Sequence, residues 1–255
     1  MRHKFYMTLF FILGLCLSTA IFAQEQKVAR INDKNGYTNV RSGKGKEFPI
    51  IATLDSSDLF ECERSNNEWM KILALTKFDV SNVEGYVHRS RIEFLADIDK
   101  EEKKELFEKT FTTYQELVRH WHQLDDSKNY TKAQVAVFEV GHYSNAIYSS
   151  VLSILPAYIK QTKDTTTLQL FFSTMWIDSG SANEIPSFTI GECYVYQPDF
   201  VIGQIKLLTD KEQRAYLFDA IEHGIDFYFD YHEEKVLEQR KKLEEKLNNA
   251  RKNIL

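Results

Sequence analysis

Cysteine is scarce in this chain, with three in 255 residues. They stand at Cys16, Cys62 and Cys193. The last two lie among apolar neighbours (Leu59 and Phe60; Tyr194 and Val195), in segments read below as different domains, which favours two buried free thiols over a disulfide. Long hydrophobic runs are lacking too: past the first two dozen residues none is long and apolar enough to span a bilayer. Positive charge is in deficit, with 32 Lys and Arg against 37 Asp and Glu and a formal net charge of −5. The basic residues are dispersed among acids, so the chain lacks the basic patch that nucleic-acid binding requires. It also lacks a Gly-rich phosphate loop, a G-x-S-x-G elbow and an H-E-x-x-H zinc motif, and with them the usual signatures of nucleotide, serine-hydrolase and zinc-peptidase chemistry.

What is present begins with a leader. Arg2 and Lys4 form a positive start, Leu9 to Leu17 is an apolar run of about nine residues, and Ala23 is a small residue suited to cleavage. Residues 1–23 read as a signal peptide, and the chain is expected to be periplasmic or secreted, with no integral membrane segment after cleavage. Removing residues 1–23 takes away Arg2 and Lys4 and no acid, moving the formal charge from −5 to −7.

Residues 24–96 read as strands. Lys27–Ile31 alternates; Pro49–Leu54 is short and β-rich; Leu59–Glu63 and Trp69–Leu73 flank an Asn66-Asn67 turn; Gly85–His88 completes five strands. Five short strands in so few residues predict a small closed barrel, since closure removes exposed edges. Ala74 to Glu84, with Phe78 and Val80, is expected to be a long loop.

Particular residues carry a family resemblance. Asn39-Val40-Arg41-Ser42-Gly43 is followed by Phe48, by Ile50 and Ile51 before Leu54, by Asn67 and Trp69, and by Gly85-Tyr86-Val87. This order resembles the bacterial SH3 domain, although Lys44 stands where many members have proline. The resemblance implies an SH3-like barrel that binds cell-wall peptide or glycan, or that docks within its own chain. It implies that Arg41 ties the first loop to the barrel and that Trp69 fills a barrel end or reaches a ligand. Tyr37, Phe48 and Tyr86 are candidates to line a shallow groove, with Glu47 placed to pair with an amine. The candidate ligand-binding residues are therefore Tyr37, Asn39, Arg41, Glu47, Phe48, Trp69 and Tyr86.

From residue 97 to 255 the pattern becomes helical. Asp99 is an N-cap for a helix whose Phe107, Thr110, Phe111, Tyr114, Val118 and Trp121 recur at three and four. A second helix is predicted over Lys132–Lys160, with Val135, Phe138, Tyr143, Ile147 and Val151 on its apolar face and a kink or split at Pro156. A third begins at Asp164; a pair divides at Gln197-Pro198. Lys211 to Asn249 is expected as one helix of nearly 40 residues, interrupted at most by Gly224. The expected class is thus a multidomain chain: a small all-β SH3-like barrel followed by an all-α helical bundle or irregular α-solenoid.

Chemistry is sparse in this part. His120 and His122, two apart on a helix, point away from each other and cannot share an ion. Glu139-x-x-His142 has di-iron spacing but no second copy. Asp226, Asp230, Glu233 and Glu234, near His223 and His232, are interleaved with aromatics and read as an amphipathic helix face. No catalytic residue, metal or cofactor is expected. The chain reads as an exported, non-enzymatic binding protein of the bacterial envelope, its partner a cell-wall peptide, peptidoglycan or another protein. Two alternatives stay open: a periplasmic immunity or inhibitor protein, and a cell-wall hydrolase using Cys193.

Overall fold

A computed structural model describes residues 26–63, 66–75, 82–177, 184–230 and 237–255. The leader, Phe78 and Val80, and His232, Glu233 and Glu234 lie outside the described residues. The chain divides into two compact units, with the boundary between Phe94 and Leu95.

The first unit is one antiparallel sheet of seven strands: β1 (Gln26–Ile31), β2 (Tyr37–Arg41), β3 (Ile50–Asp55), β4 (Leu59–Glu63), β5 (Trp69–Leu75), β6 (Asn82–His88) and β7 (Ile92–Phe94). Their spatial order is β3-β2-β6-β5-β4-β1-β7. Five strands were expected from the pattern, and β2 and β7 are added. Strand β2 carries the polar Thr38 and Asn39, and β7 is only three residues long, so neither shows a clear apolar alternation. The sheet is open, with β3 and β7 as its edges. The closed barrel is therefore not what the described ladders form.

Alternation builds the core: Met70, Ile72 and Ala74 of β5 point inward with Val40, Leu54, Phe60, Cys62 and Val87. The same alternation carries β5 and β6 beyond the expected strand ends. Ala74 pairs with Val83 and Leu75 with Asn82, so only 76–81 separate the two strands. Ala74, Leu75, Asn82, Val83 and Glu84, expected within the loop, thus belong to the β5–β6 ladder.

Strand β2 meets β6 at a single pair, Arg41 with Tyr86, beside a register shift at Val40/Arg41. Gly85 permits that crossing. A Cβ there would lie 2.6 Å from Val40 Cγ1 and 2.8 Å from the Arg41 carbonyl oxygen. Gly36 turns the chain from β1 into β2 at φ +73°, a conformation costly for any residue with a Cβ.

The second unit is helical. Helix α1 (Lys100–Asp126) starts at Asp99, whose carboxylate accepts the Glu102 N–H at 2.8 Å. Helix α2 (Tyr130–Tyr143) runs through a π-turn (Ser144–Tyr148) into α3 (Ser149–Leu152). The break before α4 (Leu155–Thr162) places Pro156 in the first turn of the new helix, where its missing N–H costs nothing. Next come α5 (Thr165–Trp176), α6 (Ile185–Tyr196), α7 (Pro198–Lys206), α8 (Lys211–Asp230) and α9 (Leu237–Ile254).

Two expectations are corrected here. Val135 and Phe138 are not on the buried face of α2; they are 57% and 77% exposed, and Ala133, Ala136 and Val140 are buried instead. The small residues face α1, which packs directly on α2, and small side chains let two helix axes approach closely. The single long C-terminal helix is instead an antiparallel pair. Arg240 of α9 reaches Asp226 and Asp230 of α8, and Arg251 reaches Asp219 and Glu222 at 2.9 and 3.1 Å. Leu243 and Leu247 are buried in this pairing. Gly224 does not interrupt α8; it lies where α8 crosses α6 at Gly191, backbone against backbone.

Candidate functional site

A polar cleft of about 300 Å³ opens in the β unit. Its floor and walls come from segments far apart in sequence. The β1–β2 turn brings Asp33 and Asn35, β2 brings Tyr37, Thr38, Asn39 and Arg41, and the following loop brings Lys46. Trp69 at the start of β5, His88 at the end of β6, and Ser90 and Arg91 from the turn before β7 complete it.

Each group is held by identifiable bonds. Arg41 donates to the carbonyl oxygens of Lys46 and Phe48, both at 2.7 Å, and so pins the loop that carries Lys46. Asn39 accepts a long bond from the Thr53 hydroxyl at 3.4 Å. Trp69 meets the edge of His88 with ring centroids 5.3 Å apart, a geometry that aromatic quadrupoles favour. His88 Nδ1 accepts the Ser90 N–H at 3.3 Å. The Asp33 side chain is 1% exposed and ion-paired to Arg91, which is 49% exposed. Asp33 also accepts the Asn35 N–H at 2.8 Å and, through its carbonyl, the Gly36 N–H at 2.9 Å. Its charge is thus spent internally, on the turn and on orienting Arg91.

Four of the seven candidate residues from the sequence line this cleft: Tyr37, Asn39, Arg41 and Trp69. The other three do not. Glu47 folds its carboxylate over Gly45, and the Phe48 ring covers Gly43, each filling space a Cβ would need. Tyr86 lies under the Lys44 ammonium, 5.6 Å from its ring centre. Sequence reading missed Asp33, Asn35, Thr38, Lys46, His88, Ser90 and Arg91. A signal existed for two of them, because Asp33-Lys34-Asn35-Gly36 is a turn sequence with an Asx partner.

The other chemistry-bearing residues stay apart. His120 is exposed on α1, and His122 stacks on Trp121 with centroids 4.5 Å apart. Asp226 and Asp230 are partnered by Arg240. No group of three or more His, Cys, Asp or Glu is placed to hold a metal ion among the described residues. Cys62 and Cys193 are both free and buried. Burial, helped by Glu63, pushes the Cys62 thiol up to about 12. Burial with Glu192 beside it raises Cys193 well above the ordinary thiol range. A nucleophilic cysteine needs the opposite: exposure and a lowered pKa.

Comparison with protein-family models, with curated proteins and with solved structures finds no match to this chain.

Proposed function

We propose that this chain is an exported, non-enzymatic binding protein of the bacterial cell envelope. Its β unit acts as an SH3-like module whose cleft docks a cell-wall peptide or a protein partner. The observation that carries this reading is the cleft itself. It is open to solvent and polar, it has Tyr37 and Trp69 on its walls, and it gathers more than half of the candidates that the bacterial SH3 resemblance had nominated. Small sites of this kind bind through a few placed polar groups beside aromatic area. The buried thiol of Cys193 supports a binding role over the hydrolase alternative.

Retention of the full chain on insoluble peptidoglycan tests the reading. Wild type is retained, and Tyr37→Ala, a change at a side chain 50% exposed and thus harmless to the fold, weakens retention several-fold. A chain that never sediments with peptidoglycan refutes the wall-binding form.

The inhibitor alternative rests on a different surface. Val135 and Phe138, three apart and so on one face of α2, are both exposed, and large exposed apolar side chains set side by side mark protein-interaction sites. Phe138→Asp then abolishes a complex with a toxin and leaves peptidoglycan retention unchanged.

A further inference from the structure

We infer that the cleft of the β unit takes a carboxylate of a peptide ligand, received by Arg91 and Lys46 beside the Tyr37 ring. The inference rests on the proposed function only in taking this cleft as the binding site.

The charge balance of the lining is one-sided. Arg41, Lys46 and Arg91 line the cleft, and Asp33 is the single carboxylate among its lining residues. That carboxylate is 1% exposed and paired with Arg91, so the pair is close to neutral and the net positive charge of the lining comes from Arg41 and Lys46. Arg41 is tied to two loop carbonyls. Arg91, through the N–H donors that Asp33 does not take, and the exposed Lys46 remain as the donors facing a ligand. This local excess of positive charge stands in a chain whose net charge is −5, so it belongs to the cleft and is not a general property of the surface.

The geometry suits a planar anion. Asp33 pairs with Nη1 of the Arg91 guanidinium, and the group carries five N–H donors in a rigid fork that matches a carboxylate bidentately. A buried acid paired with an arginine limits the directions its guanidinium can take, which lowers the entropic cost when the ligand arrives. Asn35, in the same lining, can donate through its side-chain amide to an oxygen that the fork leaves unfilled. Tyr37 offers a half-exposed ring for the apolar part of an adjoining residue. The carboxylate can come from a peptide C-terminus or from an acidic side chain, and the same groups would receive either.

Calorimetric titration of the full chain with three probes separates these sources: acetyl-trialanine with a free carboxylate, its C-terminal amide, and acetyl-alanyl-glutamyl-alanine amide. At least one carboxylate probe binds, the neutral amide does not, and binding weakens as salt is raised. Tight binding of the free acid alone identifies a chain terminus; tight binding of the glutamyl peptide alone identifies a side chain. Arg91→Gln weakens binding about 10- to 100-fold, the range expected for hydrogen bonds to a charged group. Because that variant strands the buried Asp33, Arg91→Lys and Lys46→Gln are measured beside it. Both fold as judged by circular dichroism, and both bind more weakly than wild type. Equal binding of acid and amide, no binding of any probe, or full affinity in Lys46→Gln and Arg91→Lys overturns the inference. Peptidoglycan retention without carboxylate preference leaves the wall reading standing and removes this one. Carboxylate binding without retention does the reverse.

Discussion

A methyl group on Gly224 would collide with the Ser187 carbonyl oxygen and lie 2.8 Å from Gly191 Cα, and one on Gly191 would lie 2.5 Å from Gly224 Cα. The obstacles are backbone atoms of a packed helix, which cannot rotate aside. Replacing glycine by alanine inside a helix ordinarily stabilises by roughly 1 kcal/mol, but forcing extra volume into a packed contact costs about 1–3 kcal/mol or more. Gly224→Ala and Gly191→Ala are therefore expected to lower stability in urea unfolding. Gly203→Ala in α7, which meets nothing within 4 Å, is expected to raise it. The opposite signs distinguish a close crossing from a simple propensity effect. Nothing in the sequence marked Gly224 as a contact, because the residue it meets lies on another helix. The thiols follow the same residue-scale logic. With Cys62 raised to about 12 and Cys193 fully buried, neither is expected to react with a thiol-specific reagent at pH 8 until the protein unfolds.

At the scale of single elements, the start of α5 shows how a local cap joins a tertiary bond. Asp164 accepts the Thr167 N–H at 3.1 Å and the Tyr158 hydroxyl at 2.8 Å. Burial pushes the Asp164 carboxyl up, but the bonds from Thr167 and Tyr158 outweigh it, and its pKa is held below the ordinary 3.8. The same contact, after burial, lifts Tyr158 to about 12. A depressed carboxyl stabilises the fold above its unfolded pKa, and that contribution fades as the pH falls below 3.8 through the folded value. Asp164→Ala is expected to cost about 1 kcal/mol at neutral pH, the usual value of a helix cap. The difference from wild type shrinks in chemical denaturation below pH 3.8. This cap was legible in the sequence, as were Asp99 and the break before Pro198, because each signal lies within four residues of its effect. The α8–α9 pair was not legible. Good helix formers run through both elements, and the Leu243 and Leu247 seam states only that some partner exists. The antiparallel partner was supplied by packing and by Arg240 and Arg251 reaching back to α8.

At the scale of the whole molecule, the chain divides into an open seven-stranded sheet and a helical unit. The alternating strands and the change of pattern near residue 97 made that division readable. The cleft was half readable. Asn39, Arg41 and Trp69 belong to the bacterial SH3 pattern, and Tyr37 stands two residues before its first motif. Arg91 is separated from Asp33 by most of the β unit and becomes its neighbour only when the turn before β7 returns beside β1, where the Asn32 N–H meets the Arg91 carbonyl at 2.9 Å. No local pattern announces such a meeting. The central claim is that this cleft, and not the helical unit, receives the ligand. Amide chemical-shift mapping of the full chain titrated with soluble peptidoglycan stem peptides tests it most directly. The account predicts shifts clustered at residues 33–41, at Trp69 and at 88–91, with those of 95–255 unmoved. Shifts confined to 95–255, or none anywhere, would contradict it.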